Sequence, residues 1–271
     1  RQGIFMIDAS HDFIKDGNKN RLSGHHIKKI VDAVLAAMPE SDFELSKEER
    51  KNYNRFIRIM SEIEWPAYMD GDIDFHETII NLYENGTIED VIVAVHEHYN
   101  SDYIDDLHKR LEESDVINKN RVPIIKEALE LYKLGYYYGT VTTLLSQIIG
   151  LVKDIEVFCD KNRIQFNPEN EKILFNRYKV SKNSEKKRII ATLLEGKDRN
   201  DEEREYLYLI GYFRSIIFSD KLDESRLDTD VSRNMVFHGE QLTFGSKDQA
   251  LKLIICIDSL WWVSELLSLD V

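Results

Sequence analysis

From Ser46 onward, apolar positions recur at intervals of three and four residues, with Gly, Pro or Asn between the runs. This is the spacing of helices that bury one face. It predicts helices over Lys47 to Ile63, Asp74 to Tyr83, Ile88 to His98, Tyr103 to Glu113, Val122 to Tyr132, Tyr138 to Asp160, Glu169 to Phe175, Ser184 to Leu194, Glu203 to Phe218 and Lys247 to Leu269. Ahead of them, Ile4-Phe5-Met6-Ile7-Asp8 reads as one short strand. Ile27, Ile30, Val31, Val34, Leu35 and Met38 then form the stripe of a helix over His25 to Met38, closed by Pro39. A lone strand must satisfy its backbone groups elsewhere, so this segment is expected to pair with another copy or to pack as an irregular arm. The pattern predicts an all-α, multi-helix bundle with a short N-terminal strand or arm, its spine made by the two longest helices. Three regions follow: an arm over 1–38, a front helical group over 39–118 and a rear helical domain over 119–271, with the polar link Ser114 to Asn120 as the seam.

Composition narrows the class. Of 271 residues, 42% are hydrophobic and only 12 are Gly and 4 Pro, which excludes collagen-like and wholly disordered chains. Acidic residues outnumber basic ones 49 to 36, a net charge of −13, so the whole molecule repels nucleic acid and any such site has to be a local basic patch. One stretch qualifies: Lys172, Arg177, Lys179, Lys182, Lys186, Lys187 and Arg188 stand against Glu185, with Phe175 and Tyr178 interleaved. It reads either as a track for a phosphate backbone with stacking aromatics or as a solvated helix pair. Cys159 and Cys256 lie far apart in apolar runs, so neither a disulfide framework nor a thiolate zinc site is expected, and a reducing cytoplasm fits best. Arg1-Gln2-Gly3 shows no leader pattern, and the most apolar stretch, Leu251 to Leu269, is interrupted by Lys252, Asp258 and Glu265, so no membrane span is expected.

The segment that can carry chemistry is Asp230-Val231-Ser232-Arg233-Asn234-Met235-Val236-Phe237-His238-Gly239. Histidine takes and returns a proton near neutral pH, and arginine grips a phosphate oxygen in two places. Together they suit metal-free cleavage of RNA, in which a base draws the 2′-hydroxyl proton and a fixed cation stabilises the charge developing on phosphorus. On a helix Arg233 and His238 stand five positions, about 140° net, apart. They converge only if the last turn unwinds, which Gly239 permits, or if the same pair from a second subunit meets them. The competing reading pairs Arg233 with one of the many acids and leaves His238 as a helix end.

Arg233-Asn234-Met235-Val236-Phe237-His238-Gly239, followed by the apolar run Ala250 to Asp258, resembles the C-terminal signature of HEPN domains: an arginine, a polar residue, further positions and a histidine. A second stretch agrees, with Arg121, Ala128 to Tyr132, Gly135-Tyr136-Tyr137-Tyr138 and Leu144 to Leu151 resembling the first helices of bacterial HEPN proteins. The likeness covers roughly residues 120 to 271. It implies an all-α bundle that forms a homodimer, places both motifs at the subunit interface and cuts an RNA substrate without metal or cofactor. On that pattern Arg233 and His238 are the catalytic residues, and Asn234 orients the histidine or the substrate. Many members are toxins or phage-defence effectors, while others are inactive and only bind. Where relatives often carry an acid before the glycine of the first long helix, this chain has Ile149.

At the other end, Gly3 to Ser10, Lys15 to Leu22 and His26 to Asp32 resemble a short piece of the modification subunit of type I restriction systems, over about the first 35 residues. That methylase needs an Asn-Pro-Pro-aromatic motif and a glycine-rich loop. Neither is present, and Asn167-Pro168-Glu169 is no substitute. The resemblance implies a docking arm or a fusion relic, and an antitoxin or a restriction-system subunit as partner. His96-Glu97-His98 suggests a metal site, but residues two apart on a helix point to different faces. Tyr136-Tyr137-Tyr138 and Trp261-Trp262 read chiefly as core aromatics, with at least one of the two tryptophans facing outward.

Overall fold

A computed structural model describes residues 47–67, 72–162, 212, 216–217, 222 and 224–269. Among these residues there are helices and connecting turns and no strand, so the described part of the chain is all-α. In chain order the helices are α1 (Lys47–Glu62), α2 (Ile73–Asn85), α3 (Ile88–His98), α4 (Ser101–Glu113), α5 (Val122–Lys133), α6 (Tyr137–Asn162), a 3₁₀ turn (Glu224–Arg226), α7 (Arg233–Phe237) and α8 (Lys247–Leu269). Seven of the helices expected from periodicity are present with ends shifted by two residues or fewer. The expected strand Ile4 to Asp8 and the helices His25 to Met38, Glu169 to Phe175 and Ser184 to Leu194 lie outside the described residues. So does Glu203 to Phe218, apart from Tyr212, Ile216 and Ile217.

Helix starts and stops follow local chemistry. Asp72 Oδ1 accepts the Phe75 amide at 2.9 Å to start α2, and Thr87 with Asp90 forms a reciprocal capping box on α3. The Asn100 side chain takes the amides of Asp102 and Tyr103 at the head of α4. Helix α1 ends in a left-handed turn at Glu64 (φ 63°), with the Trp65 amide donating to the Met60 carbonyl at 2.9 Å. Glycine usually fills that position.

The centre is α8, in which every residue from Gln249 to Leu260 is buried. A helix apolar on all sides has to be covered on all sides: it packs most extensively on α6, and also on α4 and α5. Lys252, Asp258 and Ser259 within that run are buried as well, and each is satisfied. Lys252 Nζ donates to the Thr229 carbonyl (2.8 Å) and to Asp230 (3.0 Å). Asp258 accepts from Arg110 Nη1 (2.7 Å) and from the Tyr103 hydroxyl (2.6 Å), and Ser259 Oγ donates to the Ile255 carbonyl (2.6 Å). No described helix is long and apolar enough to cross a membrane.

One apolar core runs without a break from Tyr53 on α1 to Leu267 on α8. Between α4 and α5 the link is tucked in: Val116 and Ile117 are buried, and the Asn118 amide donates to Asp154 at 3.1 Å. Cys159 and Cys256 are both buried, and desolvation pushes the Cys256 thiol well above its ordinary range.

Arg121 explains a glycine. Its Nε and Nη2 grip the Asp154 carboxylate at 2.8 and 3.1 Å, and its Nη1 donates to Gln147 Oε1 at 2.9 Å. The guanidinium lies against Gly150, where a Cβ would overlap Nη1. The acid that serves this arginine is thus Asp154, one turn beyond Ile149. In Gly150→Ala the arginine has to leave. The loss of its pairs outweighs the roughly 1 kcal/mol that alanine gains over glycine in a helix, and leaves a mostly buried Asp154 uncompensated. The expected net loss is about 2 kcal/mol in urea unfolding; a stability equal to wild type would show that the clamp contributes nothing.

Candidate functional site

The 3₁₀ turn and the turn residues after it lead to Asp230, which is completely buried. A buried carboxylate needs partners, and Asp230 has several. Arg226 donates to its Oδ2 from Nε (2.9 Å) and Nη2 (2.8 Å), and Lys252 Nζ (3.0 Å) and the Tyr212 hydroxyl (3.4 Å) reach Oδ1. Two residues on, Ser232 caps α7, its Oγ accepting the Met235 amide at 3.3 Å. Met235 and Val236 face the core, and the Leu222 amide meets Met235 Sδ at 3.1 Å. Gly239 closes the helix at φ 73°, its amide donating to the Val236 carbonyl at 3.1 Å while the Glu240 amide reaches the Met235 carbonyl at 2.8 Å. An L side chain is disfavoured at that φ, so the glycine is required by the turn.

The three motif side chains fall as follows. Arg233 is half-buried at the first helical position, donating from Nη1 to Asn234 Oδ1 at 2.9 Å with its guanidinium 5.3 Å from the centre of the Phe237 ring. Its Nε is buried and has no acceptor among the described residues. His238 is exposed. Its backbone is still right-handed (φ −90°, ψ −2°), so the helix unwinds only at Gly239. Arg233 and His238 therefore leave one chain about 140° apart around the helix axis, and the unwinding that would bring them together within a single chain does not occur.

Neither a protein-family model, nor a curated protein, nor a solved structure matches this chain.

The surroundings of the motif are more apolar than its polarity suggests. Phe237 is 46% and Leu242 74% exposed. The loop after α7 ends against Tyr138, whose ring meets Phe244 edge-on at 5.0 Å and fills the space beside Gly245. Tyr136 and Tyr138 are 64% and 56% exposed, which corrects the core reading of the tyrosine run. Only Tyr137 of the three packs inward, its ring 5.7 Å from that of Tyr132. Tyr136 precedes the first turn of α6 and Tyr138 lies within that turn. Trp261 and Trp262 are both half-buried, so neither stands fully out, and the Arg110 guanidinium lies 4.4 Å over the Trp261 ring.

The basic stretch Lys172, Arg177, Lys179, Lys182, Lys186, Lys187 and Arg188 lies outside the described residues. His96 and His98 diverge as their spacing predicts. His98 stacks on Phe75 at 3.8 Å, and His96 Nε2 meets Asp248 Oδ1 at 2.7 Å with Trp65 edge-on to its ring. Among the described residues no group of three or more His, Cys, Asp or Glu is placed to hold a metal ion.

The hydrogen bond from His96 holds the Asp248 carboxyl below its ordinary value of 3.8, against an opposing effect of partial burial, and the charges of His96 and nearby Lys252 and Lys247 help. A carboxylate whose folded pKa is depressed contributes stability that is complete above the unfolded pKa and lost as pH falls through the folded one. Asp248→Asn is therefore expected to remove part of the acid sensitivity of unfolding below about pH 4. Chemical denaturation at a series of pH values checks this, and parallel wild-type and variant curves through that window would refute it.

Sequence reasoning missed Asp230, Lys252, Gln241 and Gln249, the residues that hold the motif in place. The available signal was polar residues inside otherwise apolar helical runs, Lys252 and Gln249 on α8 above all.

Proposed function

We propose that this chain is a metal-independent endoribonuclease of HEPN type that works as a homodimer, in the role of a toxin or phage-defence effector. The observation that carries the reading is the form of the Arg233 to His238 segment. A capped single turn of helix presents an exposed imidazole at one end and, at the other, an arginine whose buried Nε donor has no acceptor among the described residues. A guanidinium that keeps an unused donor in this way is able to turn toward an anionic phosphate oxygen. His238 takes the proton of the 2′-hydroxyl, the 2′-oxygen bonds to phosphorus as the bond from phosphorus to the 5′-oxygen breaks, and the 5′-oxygen leaves with a proton from the imidazolium or from water, while Arg233 stabilises the charge on phosphorus and Asn234 holds the guanidinium in place. Because the two side chains diverge within one chain, a composite site made with the second copy's motif is the arrangement that brings an arginine and a histidine to one phosphate. The exposed Phe237 and Tyr138 rings offer faces for unpaired bases or for the partner subunit.

A second reading, a non-catalytic HEPN-type binding or scaffold protein associated with a type I restriction-modification system, is favoured by Ile149 and by the net charge of −13. Incubating total cellular RNA with the purified chain in EDTA separates the two. The ribonuclease reading expects cleavage with 2′,3′-cyclic phosphate ends, and RNA left intact over a wide range of protein concentration would turn the assignment to binding.

A further inference from the structure

A helix of five residues has no stability of its own, so the place of α7, and with it of Arg233 and His238, is imposed by what flanks it. The flanks are tied together. The Asp230 carbonyl accepts from Gln241 Nε2 (2.7 Å) and Gln249 Nε2 (3.1 Å). Gln241 Oε1 in turn accepts the Ser232 amide at 3.1 Å, and Ser232 caps α7. Gln241 and Gln249 also share the Leu227 carbonyl, at 2.8 and 3.2 Å. One side chain, that of Gln241, thus joins the residues before the motif to the residues after it.

Beneath this tie sits a buried set of charges. Asp230 pairs with Arg226 and Lys252, and Arg226 reaches Glu64 at 3.4 Å, the residue that holds a left-handed backbone at the end of α1. The set balances two cations against two anions. Apolar residues of similar size are often as stabilising in such places, so the arrangement is better suited to fixing geometry than to adding stability.

We infer that Gln241 and Asp230 are positioning residues for the Arg233–His238 motif: they hold the turn of helix that carries it without touching the substrate. The inference rests on the ribonuclease reading for its effect on rate, though not for its effect on the segment. Two variants test it. Gln241→Ala removes the tie, and Asp230→Asn combined with Lys252→Met removes one buried charge of each sign, which keeps the site neutral.

Hydrogen exchange at the amides of Val236 and His238, which donate to Ser232 and Asn234 carbonyls at 3.0 Å, is expected to speed at least about tenfold in both variants while α6 exchanges as in wild type. In the EDTA cleavage assay, kcat is expected to fall about a hundredfold through misplacement, with KM within about threefold of wild type. Unchanged exchange at Val236 and His238 overturns the inference, as does faster exchange that leaves kcat intact or spreads equally through α6. If the wild-type chain cuts no RNA, the ribonuclease reading fails by itself, and the exchange rates still decide whether these residues hold the segment.

Discussion

Asp258→Ala is expected to lower the unfolding free energy by about 3 to 5 kcal/mol and the melting temperature by about 10 °C. Asp258 has no exposure to solvent, and its two oxygens are taken by Arg110 Nη1 at 2.7 Å and the Tyr103 hydroxyl at 2.6 Å. Removing the carboxylate takes from the mostly buried guanidinium its 2.7 Å ion pair and leaves the one with Asp106, on its own helix at 2.9 Å. It also takes from the Tyr103 hydroxyl its 2.6 Å acceptor. Much of the loss is the cost of an uncompensated group and not the value of the pair. The double variant Arg110→Met with Asp258→Leu should therefore recover a large part of the stability, since both desolvation costs disappear. Guanidinium unfolding of the wild type, the Arg110→Met and Asp258→Leu single variants and the double variant measures the coupling. A double variant no more stable than Asp258→Ala would show that the pair itself, and not the orphaned partner, carries the energy.

His238→Ala carries the opposite signature. On the proposed ribonuclease reading, loss of its general base is expected to slow RNA cleavage by about 10²- to 10⁴-fold. Because the ring is exposed, stability should stay within about 0.5 kcal/mol of wild type. Arg233→Ala is expected to cost about 10²- to 10³-fold, the scale for losing one donor to a developing oxyanion. Arg233→Lys should not restore the rate, because a lysine cannot reproduce the planar fork that holds Asn234 and, on that reading, a phosphate as well. If the site is composite, mixing His238→Ala with Arg233→Ala chains restores some activity, since a mixed dimer retains one site with both groups. Cleavage by each single variant at the wild-type rate would remove both residues from the chemistry.

The contrast between these variants shows which parts of the molecule were legible in the chain. Helices α1 to α6 and α8 were readable because each is long enough for the 3.6-residue period to show, and caps such as Thr87 with Asp90 mark their edges. Helix α7 has five residues and no period, and its position depends on Gln241 and Gln249, which look like ordinary loop and helix residues. Lys252 and Asp258 were legible only as interruptions of an apolar run, an exclusion for a membrane span. Asp258's partner Arg110 lies 148 positions earlier in the chain, and that of His96, Asp248, lies 152 positions later. Distances of that kind follow from how helices stack and not from local pattern. Arg233, Asn234 and His238 were legible as chemistry because of their residue types, while their divergence in one chain depends on the helix unwinding at Gly239, after His238.

The central place of α8 also has a consequence in time. It follows every other described helix in the chain, yet it covers the apolar faces of α4, α5 and α6. At a synthesis rate of about 5 to 20 residues per second, the residues 163 to 246 occupy the ribosome for about 4 to 17 s after α6 is complete. Throughout that interval the earlier helices have no α8 to close on. The nascent chain is thus exposed to aggregation and to chaperones for far longer than helix formation itself takes, and anything that slows translation after Asn162 lengthens that exposure.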